Sequence, residues 1–170
     1  MILVDSGAPV LFRQDRLGRN GRVFSMYKFR TMVEGADAKA PVKADGSLLT
    51  SDDDPRITSV GRLLRRTSLD ELPQLLNVVA GQMSLVGPRP DLPWQEAYYT
   101  DANRVKLCVR PGITGLAQVS GRNELSWSER LALDVDYVQN CSLIMDAVII
   151  WKTMAVVLSR RGIYEHSTSK

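Results

Sequence analysis

The stretch FRQDRLGRNGRVFSMYKFRTM, Phe12 to Met32, decides the fold class. Apolar and aromatic residues flank a central Gly/Asn/Arg segment, which is the pattern of two strands joined by a turn. The first strand is expected over Pro9 to Gln14, the turn over Asp15 to Gly21, and the second strand over Arg22 to Met32. Side chains alternate along a strand, so Lys28 and Arg30 share one face while Tyr27 and Phe29 take the other.

Beyond the hairpin the pattern turns helical. Glu34 to Asp54 is polar and small-residue-rich and reads as a loop with a short helix around Glu34 to Lys39. Thr58 is placed to cap a helix ending near Arg66. Ser68 with Glu71 three residues later matches a capping box, yet Pro73 would then remove a helical hydrogen bond. With Asp70 as the cap instead, Pro73 falls in the first turn. Either choice puts Asp70 and Glu71 at the start of a helix that runs to about Gly81. A rigid connector, Val86 to Pro90, leads to a helix from Pro93 to about Val105. Val109 to Arg122 reads as loop with one short strand. Ser126 and Glu129 form a second capping box, opening a helix to about Asn140, and a last helix runs from Ser142 to Arg161 with Gly162 as C-cap. On that helix Asp146, Thr153 and Arg160 form one polar stripe, so it reads as amphipathic, packed on the core or lying at a membrane surface, not as a span. The expectation is α+β: an N-terminal β-hairpin followed by a mostly helical single domain, residues 1–170, with amphipathic membrane-surface helices.

Composition narrows the chemistry. The chain has 170 residues, 44% hydrophobic and 24% charged, enough for one substantial core. Its two cysteines, Cys108 and Cys141, are far apart and form no C-x-x-C pair, which fits a reducing compartment. The one histidine, His166, lies in a polar tail, so chemistry in the core must come from carboxylates, Arg/Lys and backbone groups. Net charge is only +3, but cations cluster at Arg13, Arg16, Arg19, Arg22, Lys28 and Arg30, and again at Arg62, Arg65 and Arg66. Such clusters suit phosphorylated ligands, anionic lipid or nucleic acid.

No G-x-S-x-G, G-x-G-x-x-G or P-loop occurs. Asp134-Val135-Asp136 matches the Asp-x-Asp of many glycosyltransferases, but residues two apart on a helix point away from each other and cannot chelate one ion. Asp70-Glu71 has two readings. With Arg65, Arg66 and Arg89 nearby it offers metal-binding carboxylates and diphosphate-neutralising cations, a phosphoryl-transfer set. Alternatively Glu71 completes a capping box and Asp70 merely favours the helix dipole.

Three motifs add a resemblance: Phe12 to Met32, RRTSLDELPQLLNVVAGQMSLVGPRP (Arg65 to Pro90) and RPGITGLAQVSGR (Arg110 to Arg122). Together they resemble the bacterial sugar transferase family, the monotopic polyprenyl-phosphate phosphoglycosyl transferases. LDVDYVQNCSLIMDAVIIWKT (Leu133 to Thr153) is similar to the family's C-terminal signature. The resemblance covers nearly all of Pro9 to Gly162. It implies transfer of a sugar-1-phosphate from a UDP-sugar to polyprenol phosphate, with Asp70 as nucleophile and UMP released. It implies Mg²⁺ held by Glu71 and Asp70, with Lys28, Arg30, Arg65 and Arg89 binding substrate phosphates. It also implies work at the cytoplasmic face of a bacterial inner membrane, no nucleic-acid partner, and room for a homodimer. Family members begin with a hydrophobic re-entrant helix; only about eight residues precede the first strand here, so the expectation is an N-terminally truncated catalytic core. Kept beside it are a weakly active membrane-surface or nucleotide-binding fragment of the same family, a DxD-type glycosyltransferase and a basic nucleic-acid module.

Overall fold

In the computed structural model, which describes residues 1–36, 42–43, 45–47, 54–121 and 125–159, a short helix α1 (Ile2–Ser6) precedes the hairpin β1 (Leu11–Leu17) and β2 (Val23–Phe29). The strands pair antiparallel, Leu11 opposite Phe29 and Leu17 opposite Val23. The turn therefore lies later than the expected Asp15 to Gly21. It is built at Gly18–Arg22, where Asn20 and Gly21 both take positive φ, so Asp15, Arg16 and Leu17 remain in the ladder. On β2 the alternation buries Phe24 and Met26, and Lys28 comes next on the same inner face.

Helix α2 (Ser59–Arg66) is capped as expected: the Thr58 side chain accepts from the Gly61 amide at 3.0 Å. The next element departs from expectation. Ser68 takes a left-handed conformation with no side-chain cap, and Leu69–Glu71 form a single 3₁₀ turn. Pro73 then opens α3 (Gln74–Val79). The proline separates the two pieces because it has no N–H to extend the first. Strand β3 (Ser84–Val86) pairs in parallel with β4 (Gly112–Thr114). The helix expected from Pro93 to Val105 is broken into a 3₁₀ segment Pro93–Tyr98, α4 (Asp101–Arg104) and a 3₁₀ segment Val105–Cys108. Tyr99 is extended there, and Thr100 caps the new start on the Asn103 amide. Helix α5 (Leu116–Ser120), within the stretch expected as loop, follows β4. Helix α6 (Trp127–Asn140) carries the expected Ser126–Glu129 capping box, and α7 (Leu143–Ser159) closes the described chain. Of the short helix expected at Glu34 to Lys39, Glu34 and Gly35 form a turn, Ala36 is buried and non-helical, and residues 37–39 lie outside the described residues, as does Gly162.

The core among the described residues has three clusters. Phe24 and Met26 pack on Met83; Leu17 meets Tyr99, Trp127 and Leu131; Val86 meets Tyr137 and Ile149. Two helices face it with polar residues. On α3, Gln74 and Asn77 are buried while Leu75, Leu76 and Val79 are exposed. On α7 two members of the expected polar stripe point inward, Arg160 lying outside the described residues: Asp146 accepts from the Tyr137 hydroxyl at 2.8 Å, and Thr153 pairs with Thr114 at 2.7 Å. Leu143, Ile144, Trp151, Met154 and Leu158 face outward. No helix among the described residues is long and apolar enough to cross a membrane.

Asn77 fixes α3 to the hairpin. Its Oδ1 accepts from the Tyr27 amide at 3.1 Å and its Nδ2 donates to the Ser25 carbonyl at 2.8 Å, so one side chain satisfies the free edge of β2. At the other end of the hairpin, α2 crosses so close to Thr31 that a Cβ on Gly61 would lie 2.0 Å from the Thr31 carbonyl oxygen. Helix propensity alone favours Gly61→Ala by about 1 kcal/mol. The contact reverses the sign: the variant is expected to lose roughly 1–3 kcal/mol. That loss lowers the melting temperature by several degrees in a thermal scan, whereas a rise would show that α2 can shift.

Candidate active site

Five of the six residues singled out from the sequence, Lys28, Arg65, Asp70, Glu71 and Arg89, are brought to one electrostatic cluster. They line a cavity of about 1090 Å³ that also reaches α5, α6 and α7. Asp70 and Glu71 enter on the 3₁₀ turn, pressed toward the hairpin because Asn77 anchors the helix that follows. Lys28 enters from the inner face of β2. Arg89 enters from the Gly87–Pro90 connector, which the Gly87 amide ties to the Thr114 carbonyl and the Pro88 carbonyl ties to the Gly112 amide, each at 2.9 Å.

Glu71 is the centre of the cluster. Its Oε1 accepts from Lys28 Nζ at 2.9 Å and from Arg89 Nη2 at 3.0 Å. Burial pushes the Glu71 carboxyl up, but the charges and hydrogen bonds of Lys28 and Arg89 win and hold it far below the usual carboxylate range. The capping-box reading of Glu71 is thereby corrected, since its side chain turns to two cations and Ser68 makes no cap. Asp70, 8% exposed, moves the other way. Burial raises its pKa, Lys28 opposes the rise and the neighbouring Glu71 charge adds to it, with Arg65 and Arg89 also opposing. The turn thus holds one carboxylate in an ion-paired clasp and beside it a second, more basic one facing cations.

Arg65 donates through Nε to the Thr31 hydroxyl at 2.9 Å, and its charge opposes the upward shift of Asp70. Arg30 has other work. It is buried, and its guanidinium donates to the Ser6, Gly7 and Ala8 carbonyls, fastening the N-terminal segment. Arg30 lines the same cavity as the other five, while these carbonyls engage both terminal nitrogens of its fork.

Several residues of the site escaped the sequence reading. Asp134 and Asp136 do point apart, Asp134 buried and Asp136 exposed against Asn140, so the Asp-x-Asp pair is no chelate. Yet Asp134 lines the same cavity, its Oδ2 accepting from Lys106 Nζ at 2.6 Å, and Lys106 donates also to Asp91 Oδ2 at 2.7 Å. Asp91 follows Pro90 directly, its backbone carbonyl accepts from the Leu17 amide at 2.9 Å, and Arg16 binds the Pro90 carbonyl at 3.0 Å. The segment bearing Arg89 is therefore held from β1, α6 and the Val105–Cys108 turn at once.

The clasp carries a pH signature. A carboxylate with a depressed folded-state pKa contributes stability that is full above its unfolded pKa, about 4.3, and lost as pH falls toward the folded value. Glu71→Gln should cost roughly 1–3 kcal/mol near neutral pH, because it leaves two half-buried cations short of their partner. The difference from the unsubstituted protein should shrink below about pH 4.3. Melting curves from pH 3 to 7 measure it; a difference that grows on acidification would contradict the assignment.

Comparison with known proteins bears on this geometry. The family model described as bacterial sugar transferase matches residues 1–160. The exopolysaccharide production protein ExoY of Sinorhizobium fredii is 44% identical over 96% of this chain and 76% of its own length. The undecaprenyl-phosphate galactose phosphotransferase of Salmonella typhimurium is 45% identical over 93% of this chain and 35% of that protein. The UDP-galactose-lipid carrier transferase of Erwinia amylovora is 44% identical over 96% of this chain and 36% of that protein.

Proposed function

The chain belongs to the bacterial sugar transferase family, and from that premise we propose that it moves a sugar-1-phosphate from a UDP-sugar to a polyprenol phosphate through a covalent intermediate on Asp70. The observation that carries the proposal is the pairing of two unlike carboxylates on one turn. Glu71 is locked in its ionised form by Lys28 and Arg89, while Asp70 is left beside it, more basic and within reach of the same cations. The names of the Salmonella and Erwinia relatives supply the acceptor and donor classes.

In the first step an Asp70 carboxylate oxygen attacks the β-phosphorus of the donor. The bond from that phosphorus to the bridging oxygen breaks, and UMP leaves with the electron pair. In the second step a phosphate oxygen of the lipid attacks the same phosphorus and Asp70 departs as carboxylate. Splitting the displacement in two keeps each anion-on-anion approach inside a cationic setting. Arg65, Arg89 and Lys28 supply that setting, and burial of Asp70 strengthens it as a nucleophile by raising its basicity. Asp70 and Glu71 fit Mg²⁺, which is held in such sites by one or two carboxylates together with substrate phosphates. Among the described residues no cluster of three acidic, Cys or His side chains would hold a metal without substrate. When bound, the ion offsets the charge of the diphosphate.

The exposed apolar faces support a membrane-side acceptor. Leu72, Leu75 and Leu85 on one side of the cavity, and Ile150, Met154 and Val157 on the other, continue its lining outward to the apolar surfaces of α3 and α7. Helices with polar residues inward and apolar residues outward are favoured against a lipid surface. Trp151, 72% exposed, reports on this: its fluorescence should shift to the blue with anionic phospholipid vesicles and the shift should vanish in Trp151→Phe. An unchanged spectrum would place α7 away from lipid.

The direct test of the chemistry uses Mg²⁺ and UDP-sugars without acceptor lipid. Rapid quenching and intact-protein mass measurement should find one phosphosugar on Asp70 and one UMP released. Asp70→Asn should remove both and lower turnover at least about a thousandfold, the scale for loss of a nucleophile. A full UMP burst in that variant, or an adduct mapped elsewhere, would refute the covalent step.

A further inference from the structure

The inner end of the cavity contains polar atoms that the protein itself does not satisfy. Asp134 is 2% exposed; Lys106 takes its Oδ2 and the Arg89 amide approaches the carboxylate, but its Oδ1 makes no well-formed hydrogen bond. Gln118, on α5, has both Nε2 and Oε1 shut off from solvent and both without a partner. Both residues line the cavity that holds Asp70, Glu71 and Arg89, and α5 packs on α6. Buried polar atoms left unpaired are costly and few in native interiors. Three on two adjoining helices, beside a phosphoryl-transfer cluster and outside its ion pairs, ask for a polar ligand.

The carboxamide is also held in place. A Cβ on Gly115 would lie 2.8 Å from Gln118 Oε1 and 2.2 Å from the Gly87 carbonyl oxygen, so the side chain rests against a closely packed backbone. A carboxamide offers one donor and one acceptor side by side, the complement of a ring edge with an adjacent carbonyl and N–H. The Asp134 oxygen can only accept, which suits a hydroxyl.

We propose that Gln118 and Asp134 form the subsite for the nucleoside of the donor, Gln118 pairing with the edge of the pyrimidine and Asp134 Oδ1 accepting a ribose hydroxyl. This rests on the reading of Asp70 as the centre that receives the donor's phosphate. The phosphates then lie at Asp70, in the field of Lys28, Arg65 and Arg89, with the nucleoside extending toward α5 and α6 and the acceptor entering from the apolar rim. Similar donors and acceptors occur on an acetamido sugar, so the probe must separate the two ends of the donor.

UMP does so, since it carries the nucleoside and no transferred sugar. Calorimetric titration of UMP into the full chain with Mg²⁺ should give a dissociation constant that rises about tenfold in Gln118→Leu, the scale for losing a buried hydrogen-bonded pair. It should rise similarly in Gln118→Glu, which keeps the side-chain size but removes the N–H donor. Ligand-free melting curves identify any variant that has lost its fold; the near-isosteric Glu variant keeps the test open if the Leu variant does. Unchanged UMP affinity in the folded variants, with or without a raised KM for the UDP-sugar, would overturn the nucleoside assignment; a raised KM would move these residues to the transferred sugar. Unsubstituted protein that neither binds UMP nor releases it from any UDP-sugar would defeat the phosphoryl-transfer reading itself, a result distinct from either.

Discussion

Everything at the site depends on one carboxylate shared by two cations. Glu71 accepts from Lys28 on the hairpin and from Arg89 on the proline-bounded connector, so three segments distant in sequence meet at a single oxygen. Such an arrangement is costly to desolvate and is retained only where its geometry is satisfied. Here each member is held independently. Lys28 is the polar end of an otherwise apolar strand face, Glu71 sits on a turn that Pro73 separates from α3, and Arg89 lies between backbone ties to β4 and β1. The clasp leaves Asp70 as the basic carboxylate of the pair, and adjacent residues thereby acquire opposite electrostatic characters.

A second constraint is the inversion of α3 and α7. Both place polar side chains inward, beside Val78 on α3 and Ile149 on α7, and leave large apolar ones outside. Inward polarity has local causes: Asn77 must satisfy the edge of β2, and Asp146 and Thr153 meet Tyr137 and Thr114. Outward apolarity has no such internal cause. Because Leu72, Leu75, Leu85 and Met154 are exposed and also line the cavity, the outer apolar surface is continuous with the cavity that holds Asp70.

Local patterns in the chain made the hairpin, the Thr58 and Ser126 caps and the presence of a carboxylate dyad legible, since each depends on residues close in sequence. What local pattern could not show was direction. The polar stripe of α7 was visible as a stripe, but whether it faced water or core depended on Tyr137 and Thr114. Arg30 and Lys28 share a strand face, yet one meets the carbonyls of residues 6–8 and the other Glu71, a difference set by what packs opposite each. Asp134 was weighed only as half of a chelating pair, and its burial against Lys106 belongs to a tertiary contact that spacing does not encode.

The claim that Glu71 and Lys28 are coupled, beyond merely adjoining, can be measured directly by a double-mutant cycle. Urea unfolding of Lys28→Met, Glu71→Gln and the double variant gives three free-energy changes. The account predicts that the double variant is less destabilised than the sum of the singles by about 1 kcal/mol or more, within the range for contacting partners. Additivity to within roughly 0.3–0.5 kcal/mol, the behaviour of independent sites, would contradict it.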